Sequence, residues 1–114
     1  MTNEFIGHVL AHAPVDPGDE AWPHRVVRDV IEELSSEETE RGIQIERFNM
    51  RGVHSKALFE GGKEERGFAE QARGWSGKCD AWPRTQRLLN EIAKDWDRHA
   101  EWEDAEARKD RMRG

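Results

Sequence analysis

The sequence predicts an all-α protein: a three-helix antiparallel bundle with two long helices, plus a short N-terminal helix packed beside it. Apolar residues recur at helical spacing in residues 23–50, 63–78 and 84–110, so each segment has one stripe to bury. Charged residues make up 37% of the 114-residue chain and apolar residues 35%, a balance that confines the core to such stripes and leaves the other faces solvated. Glycine and proline clusters at 14–18, 61–62 and 83 separate the periodic segments, as turns do between helices.

In chain order, residues 1–13 form the short N-terminal helix. Thr2 or Asn3 is the N-cap, Phe5, Ile6, Val9 and Leu10 share a face, and Pro14 closes it. Residues 14–22 carry Pro14, Pro17, Gly18 and three acids, and read as an extended connection to a bundle spanning 23–110. The first long helix opens at Pro23 and places Val27, Val30, Ile31, Leu34, Ile45 and Phe48 on one stripe. It is expected to continue through Ser35-Ser36, because the stripe resumes in phase beyond them. Ser35 with Glu38 nevertheless fits a capping box, which makes this the weak point. Gly42 lowers helix propensity by about 1 kcal/mol relative to Ala and marks a close backbone approach.

Gly52 is a natural C-cap, and residues 51–62 form a loop ending in Gly61-Gly62. The next helix carries Phe68, Ala72, Trp75 and Cys79 at spacings of four, three and four. The last long helix carries Leu88, Leu89, Ile92, Ala93, Trp96, Ala100 and Ala107. Its acidic residues give way to Arg108, Lys109, Arg111 and Arg113, which suits a C-terminal dipole. Glu20-Ala21-Trp22-Pro23-His24 and Asp80-Ala81-Trp82-Pro83-Arg84 open the two long helices in the same order. Each Trp is expected to lie across the end of the core and fix the chain's entry.

A net charge of -6 argues against general attraction to nucleic acid or anionic membrane and leaves only local basic patches for such a role. The single cysteine, Cys79, excludes an internal disulfide, and neither a signal peptide nor an apolar run of membrane length is present. A soluble cytoplasmic protein is the expectation. Five Trp residues can be consumed within one copy or shared between two, so a homo-oligomer stays open.

No catalytic set, cofactor motif or metal motif assembles. His8 and His12 stand four apart, with Glu4 four before His8, yet the zinc-protease pattern is missing. The densest polar constellation is the loop end of the bundle: Arg47, Asn49, Arg51, His54, Glu60, Glu64, Glu65 and Arg66, meeting His99, Glu103 and Asp104 of the last helix. This is the expected partner-binding end, where opposite charges equally suit bracing of the loop. At the other end His24, Arg25, Arg28, Arg84 and Arg87 surround two helix N-termini, where backbone N–H groups and dipoles favour an anion.

Asn49-x-Arg51-Gly52-Val53, Glu60-Gly61-Gly62 and Pro83-Arg84-Thr85 together resemble a pattern in an uncharacterised group of small helical bacterial proteins. The resemblance covers roughly residues 20–107 and implies no particular activity. The function expected first is therefore a non-enzymatic interaction or accessory protein, such as a subunit of a larger complex with a protein partner. The alternatives are binding of phosphate or a nucleic-acid backbone at the basic end, and a small enzyme using His54 or His99 with Glu103.

Overall fold

The computed structural model describes residues 2–51 and 62–113, and among them the protein is all-helical. Five helices take the place of the expected three-helix bundle: α1 (Asn3–Leu10), α2 (Arg25–Leu34), α3 (Glu37–Arg51), α4 (Lys63–Ser76) and α5 (Pro83–Arg113). The long axis belongs to α5, whose 31 residues extend about 46 Å at about 1.5 Å per residue. Helices α2, α3 and α4 pack on α5, and α1 rests on α3. No helix among the described residues is long and apolar enough to cross a membrane.

The segment 23–50 is two helices. Ser35 adopts a left-handed conformation (φ 46°), and its hydroxyl donates to the Glu32 carbonyl, which ends α2. Ser36 Oγ then accepts from the Thr39 N–H at 3.1 Å and starts α3, so the cap lies one residue beyond the expected Ser35. An in-phase stripe did not require one axis. Both helices face the shared core, which imposes apolar positions on each separately: Ile31 from α2 and Ile43 from α3 are fully enclosed.

Thr2 caps α1 by accepting the Phe5 N–H, as its side chain suits. The buried face of α1 differs from expectation: Phe5 and Val9 are 53% and 56% exposed, whereas Gly7 and Ala11 are buried. Glycine explains this. A Cβ on Gly7 would stand 3.0 Å from Gly42 Cα and 2.9 Å from Ile43 N, while one on Gly42 would run into the Glu4 carbonyl. The two backbones touch through their glycines, and that approach leaves Phe5 and Val9 outward while Leu10 stays packed against the core.

The α4–α5 pair follows its expected stripes, with Ala69, Ala72, Leu88, Leu89, Ile92, Ala93 and Trp96 buried together. Both Trp residues of the repeated motif pack at helix entrances. Trp22 donates Nε1–H to the Ala13 carbonyl at 2.7 Å and meets Trp75 at 5.9 Å; Trp82 donates to Asp29 at 2.8 Å.

The expected extended connection at 14–22 is a folded loop around a buried arginine. Arg28 is 0% exposed. Its guanidinium donates to both Asp19 oxygens at 2.7 and 2.9 Å, to the Pro23 carbonyl at 2.6 Å and to the Ala21 carbonyl at 2.9 Å. Only the planar fork of Arg satisfies so many acceptors at once. Asp16 accepts from the backbone N–H groups of Gly18, Asp19 and Arg25, and Lys78 Nζ ties the loop to the end of α4 through the Asp19 carbonyl.

Candidate functional site

At the basic end, the anion that two helix N-termini attract is supplied by the chain itself. Glu32 of α2 caps α5, accepting the Arg84 N–H at 3.1 Å and the Thr85 N–H at 2.8 Å. Glu40 of α3 accepts from Arg84 Nε at 2.7 Å and lies 3.7 Å from Arg87. His24 caps α2 through Nδ1, which accepts the Val26 N–H, and its other ring nitrogen lies 3.7 Å from Asp16. Arg25 neighbours Asp16 and Asp19, and Arg28 is enclosed against Asp19. All five basic residues of the expected anion site thus have carboxylate neighbours within the fold. The Arg25 backbone N–H beside Asp16, and above all the Arg28 guanidinium beside Asp19, hold these two carboxyls below the usual range.

The loop end gathers part of what the sequence placed there. Arg66 of α4 pairs with Asp104 of α5, and Asp104 also accepts the Gly62 N–H at 2.9 Å. Gly62 is needed at this contact, since a Cβ there would come 2.6 Å from Ala100 Cα. Glu103 Oε1 lies 3.3 Å from His99 Nε2 across one turn of α5. Arg47 faces elsewhere: its guanidinium lies 4.3 Å over the Trp22 ring, inside the aromatic core. Asn49 is exposed near the end of α3, and Arg51 closes that helix. His54, Glu60 and the rest of the expected loop at 52–61, with its Gly52 cap, lie outside the described residues.

Beside these residues α3 and α5 diverge into an open groove of about 670 Å³. Ile45 and Phe48 form one wall and His99 and Trp102 the other, with Arg41, Gln44 and Asp95 along the rim. The wall is built by stacking. Phe48 stacks on Trp96 at 4.6 Å, His99 meets Phe48 edge-on at 5.4 Å, and Trp102 stacks on His99 at 5.7 Å. Trp102 remains 56% exposed. Arg41 makes no ion pair among the described residues, whereas Arg98 pairs with Asp95, which also accepts from Gln44.

Behind the His99 wall, Glu65 of α4 joins His99 and Glu103, and one donor atom from each lies within 4.8 Å of the others. Glu65 is 4% exposed. The up-and-down order of the helices already gathers Glu65 near His99 and Glu103, and these last two stand four residues apart; that one donor atom of each converges is visible only with α4 packed on α5. Trp102 was legible as an aromatic off the core stripe among Glu101, Glu103 and Asp104, and was missed. On the opposite side of α3, Glu46 receives both N-terminal histidines, at 2.9 Å from His12 and 3.6 Å from His8. Cys79 is enclosed, and burial pushes its thiol pKa up, as befits a packing group.

The chain matches no family model, no curated protein and no solved structure.

Proposed function

We propose that the chain is a non-enzymatic interaction protein, an accessory or subunit of a larger complex, which receives an amphipathic helix of a partner protein in the α3–α5 groove. The reading rests on one observation: Trp102 and Ile45 stay exposed at the groove, beside an aromatic stack of half-buried Phe48 and His99 on buried Trp96. Exposed apolar surface gathered in a concavity carries a free-energy cost that a partner removes, and Trp is the residue type that most often dominates such contacts. A trough between two helices accommodates the apolar face of a third. The exposed Arg41 at the rim favours a partner helix with carboxylates flanking its apolar stripe.

Photo-crosslinking from position 102, compared with a solvent-facing position such as Glu33, identifies the occupant in an extract of the source cells. The captured protein is then purified and titrated against the chain. Trp102→Ala is expected to weaken binding by at least about tenfold, the effect of losing an interface anchor, at an unchanged melting temperature. Undiminished affinity in both Trp102→Ala and Ile45→Asp refutes the groove as the docking surface. Crosslinking to a second copy of the chain refutes the separate partner and makes the groove a homo-oligomeric face.

A further inference from the structure

We propose that Glu65, His99 and Glu103 form a binding site for a divalent first-row transition cation of the zinc class. This goes beyond partner binding and shares only His99 with the groove.

The donors come from two helices that pack tightly along their length, α4 and α5, so their spacing is set by the core. His99 and Glu103 stand one turn apart on the same face of α5, the arrangement by which a helix offers two ligands to one ion. Their donor atoms are 3.3 Å apart, which matches the edge of a tetrahedron with metal–donor bonds of about 2.05 Å. Glu65 supplies the third donor from the facing helix, within 4.8 Å of both.

The electrostatics favour the same occupant. Two carboxylate oxygens held this close repel one another, and a dication between them converts the repulsion into attraction. Glu65 is almost wholly buried, so its side of the interaction is poorly screened by solvent. Stacking against Trp102 and edge-on contact with Phe48 fix the His99 ring plane, the orienting role that surrounding groups play for metal-bound imidazoles. An imidazole with two carboxylates suits Zn2+ or Mn2+ over Mg2+ or Ca2+, which prefer all-oxygen shells. Three protein donors leave a coordination position for water or an external ligand.

The test uses the chelator-treated chain alone, with no partner, so its outcome is independent of the groove reading. Zn2+ is titrated by calorimetry and by melting temperature, and Co2+ by its visible absorption. The expected result is one saturable equivalent, a raised melting temperature and a Co2+ spectrum of low-symmetry nitrogen–oxygen coordination. Glu103→Gln and His99→Gln, both at part-exposed positions, should each weaken affinity by at least about tenfold while keeping the helical circular dichroism. Glu65→Gln should do the same. If that variant does not fold, the other two decide. The double variant His8→Asn/His12→Asn should bind normally. Absence of saturable uptake overturns the proposal and leaves the three side chains to contacts within the chain. So does affinity unchanged in Glu103→Gln and His99→Gln, or affinity lost in the His8/His12 variant, which would move the site to Glu46.

Discussion

Alanine at Gly42 and alanine at Gly67 or Gly74 are predicted to change stability in opposite directions, although all three are helical glycines of one chain. In α4, a Cβ at Gly67 or Gly74 would meet nothing within 4 Å, so only the backbone terms operate. Replacing glycine in an exposed helix interior stabilises by about 0.5–1 kcal/mol, mostly by restricting the unfolded chain. The same gain exists at Gly42, but there the new Cβ enters the Glu4 carbonyl and lies 3.2 Å from Glu4 Cα. Those are backbone atoms, and no rotamer change moves them. The α1 and α3 axes must separate by about 1 Å to restore contact near 3.5–4.0 Å, and such overpacking costs about 1–3 kcal/mol. With the upper end expected for a rigid backbone, the net loss is about 2 kcal/mol, or roughly 10 °C in Tm for a domain of this size. Urea denaturation followed by circular dichroism and Trp fluorescence measures both signs in one experiment. A Gly42→Ala midpoint equal to or above wild type, alongside stabilised Gly67→Ala and Gly74→Ala, would refute the glycine-mediated crossing of α1 and α3.

Truncating Ile92, a buried member of the core on α5, to Ala is expected to cost about 2–5 kcal/mol; an unchanged denaturant midpoint would show that this stripe is not the core. Arg28→Met removes the bidentate partner of Asp19 and the donors to two carbonyls, at a cost of about 3–5 kcal/mol. Arg28→Lys should recover only part of it, since one ammonium cannot span the same acceptors; full recovery would refute the requirement for a fork. Folding lowers the Asp16 and Asp19 pKa values. Their contribution is therefore present above the unfolded carboxyl value near about 4 and lost as pH falls toward the folded values. The urea midpoint should decline below about pH 4, less steeply in Asp19→Asn, and equal slopes would exclude this origin.

The helices were legible where one rule acted alone. The α5 stripe from Leu88 to Ala107 came through because a long helix against a single core keeps its period without competition. The break at Ser35 was hidden because capping and periodicity gave opposing signals, and the periodic one merely reflected a core common to α2 and α3. Residues 14–22 looked like a linker from their composition. Their order comes from Arg28, whose partners Asp19, Ala21 and Pro23 satisfy a charge that periodicity alone would leave on a helix surface. Spacing puts Phe5, Ile6, Val9 and Leu10 on one face of α1, whereas the close approach at Gly7 leaves Phe5 and Val9 exposed. The juxtaposition of Glu65 and Arg66 with His99, Glu103 and Asp104 follows from bundle topology, whereas the convergence of single donor atoms from Glu65, His99 and Glu103 depends on how α4 packs against α5.

The basic end shows why a charge cluster in a sequence is weak evidence for a ligand. Five cations around two helix N-termini read as an anion site, and the physics of that reading holds: the N–H groups of Arg84 and Thr85 do bind an anion, the Glu32 carboxylate. A carboxylate tethered within the same chain acts at an effective concentration of about millimolar or higher, and Glu40 adds a second beside Arg84 and Arg87. A weakly held external phosphate must displace both, and in doing so it would uncap α5. The groove differs in the opposite respect. Trp102 and Ile45 stay exposed there, and Arg41 at the rim makes no ion pair among the described residues. An unmet apolar surface with an unmet charge beside it is what a partner can improve, whereas a satisfied charge cluster is not. That asymmetry is why the partner-binding proposal lies on the α3–α5 groove, while at the basic end Glu32 and Glu40 join α2 and α3 to the start of α5.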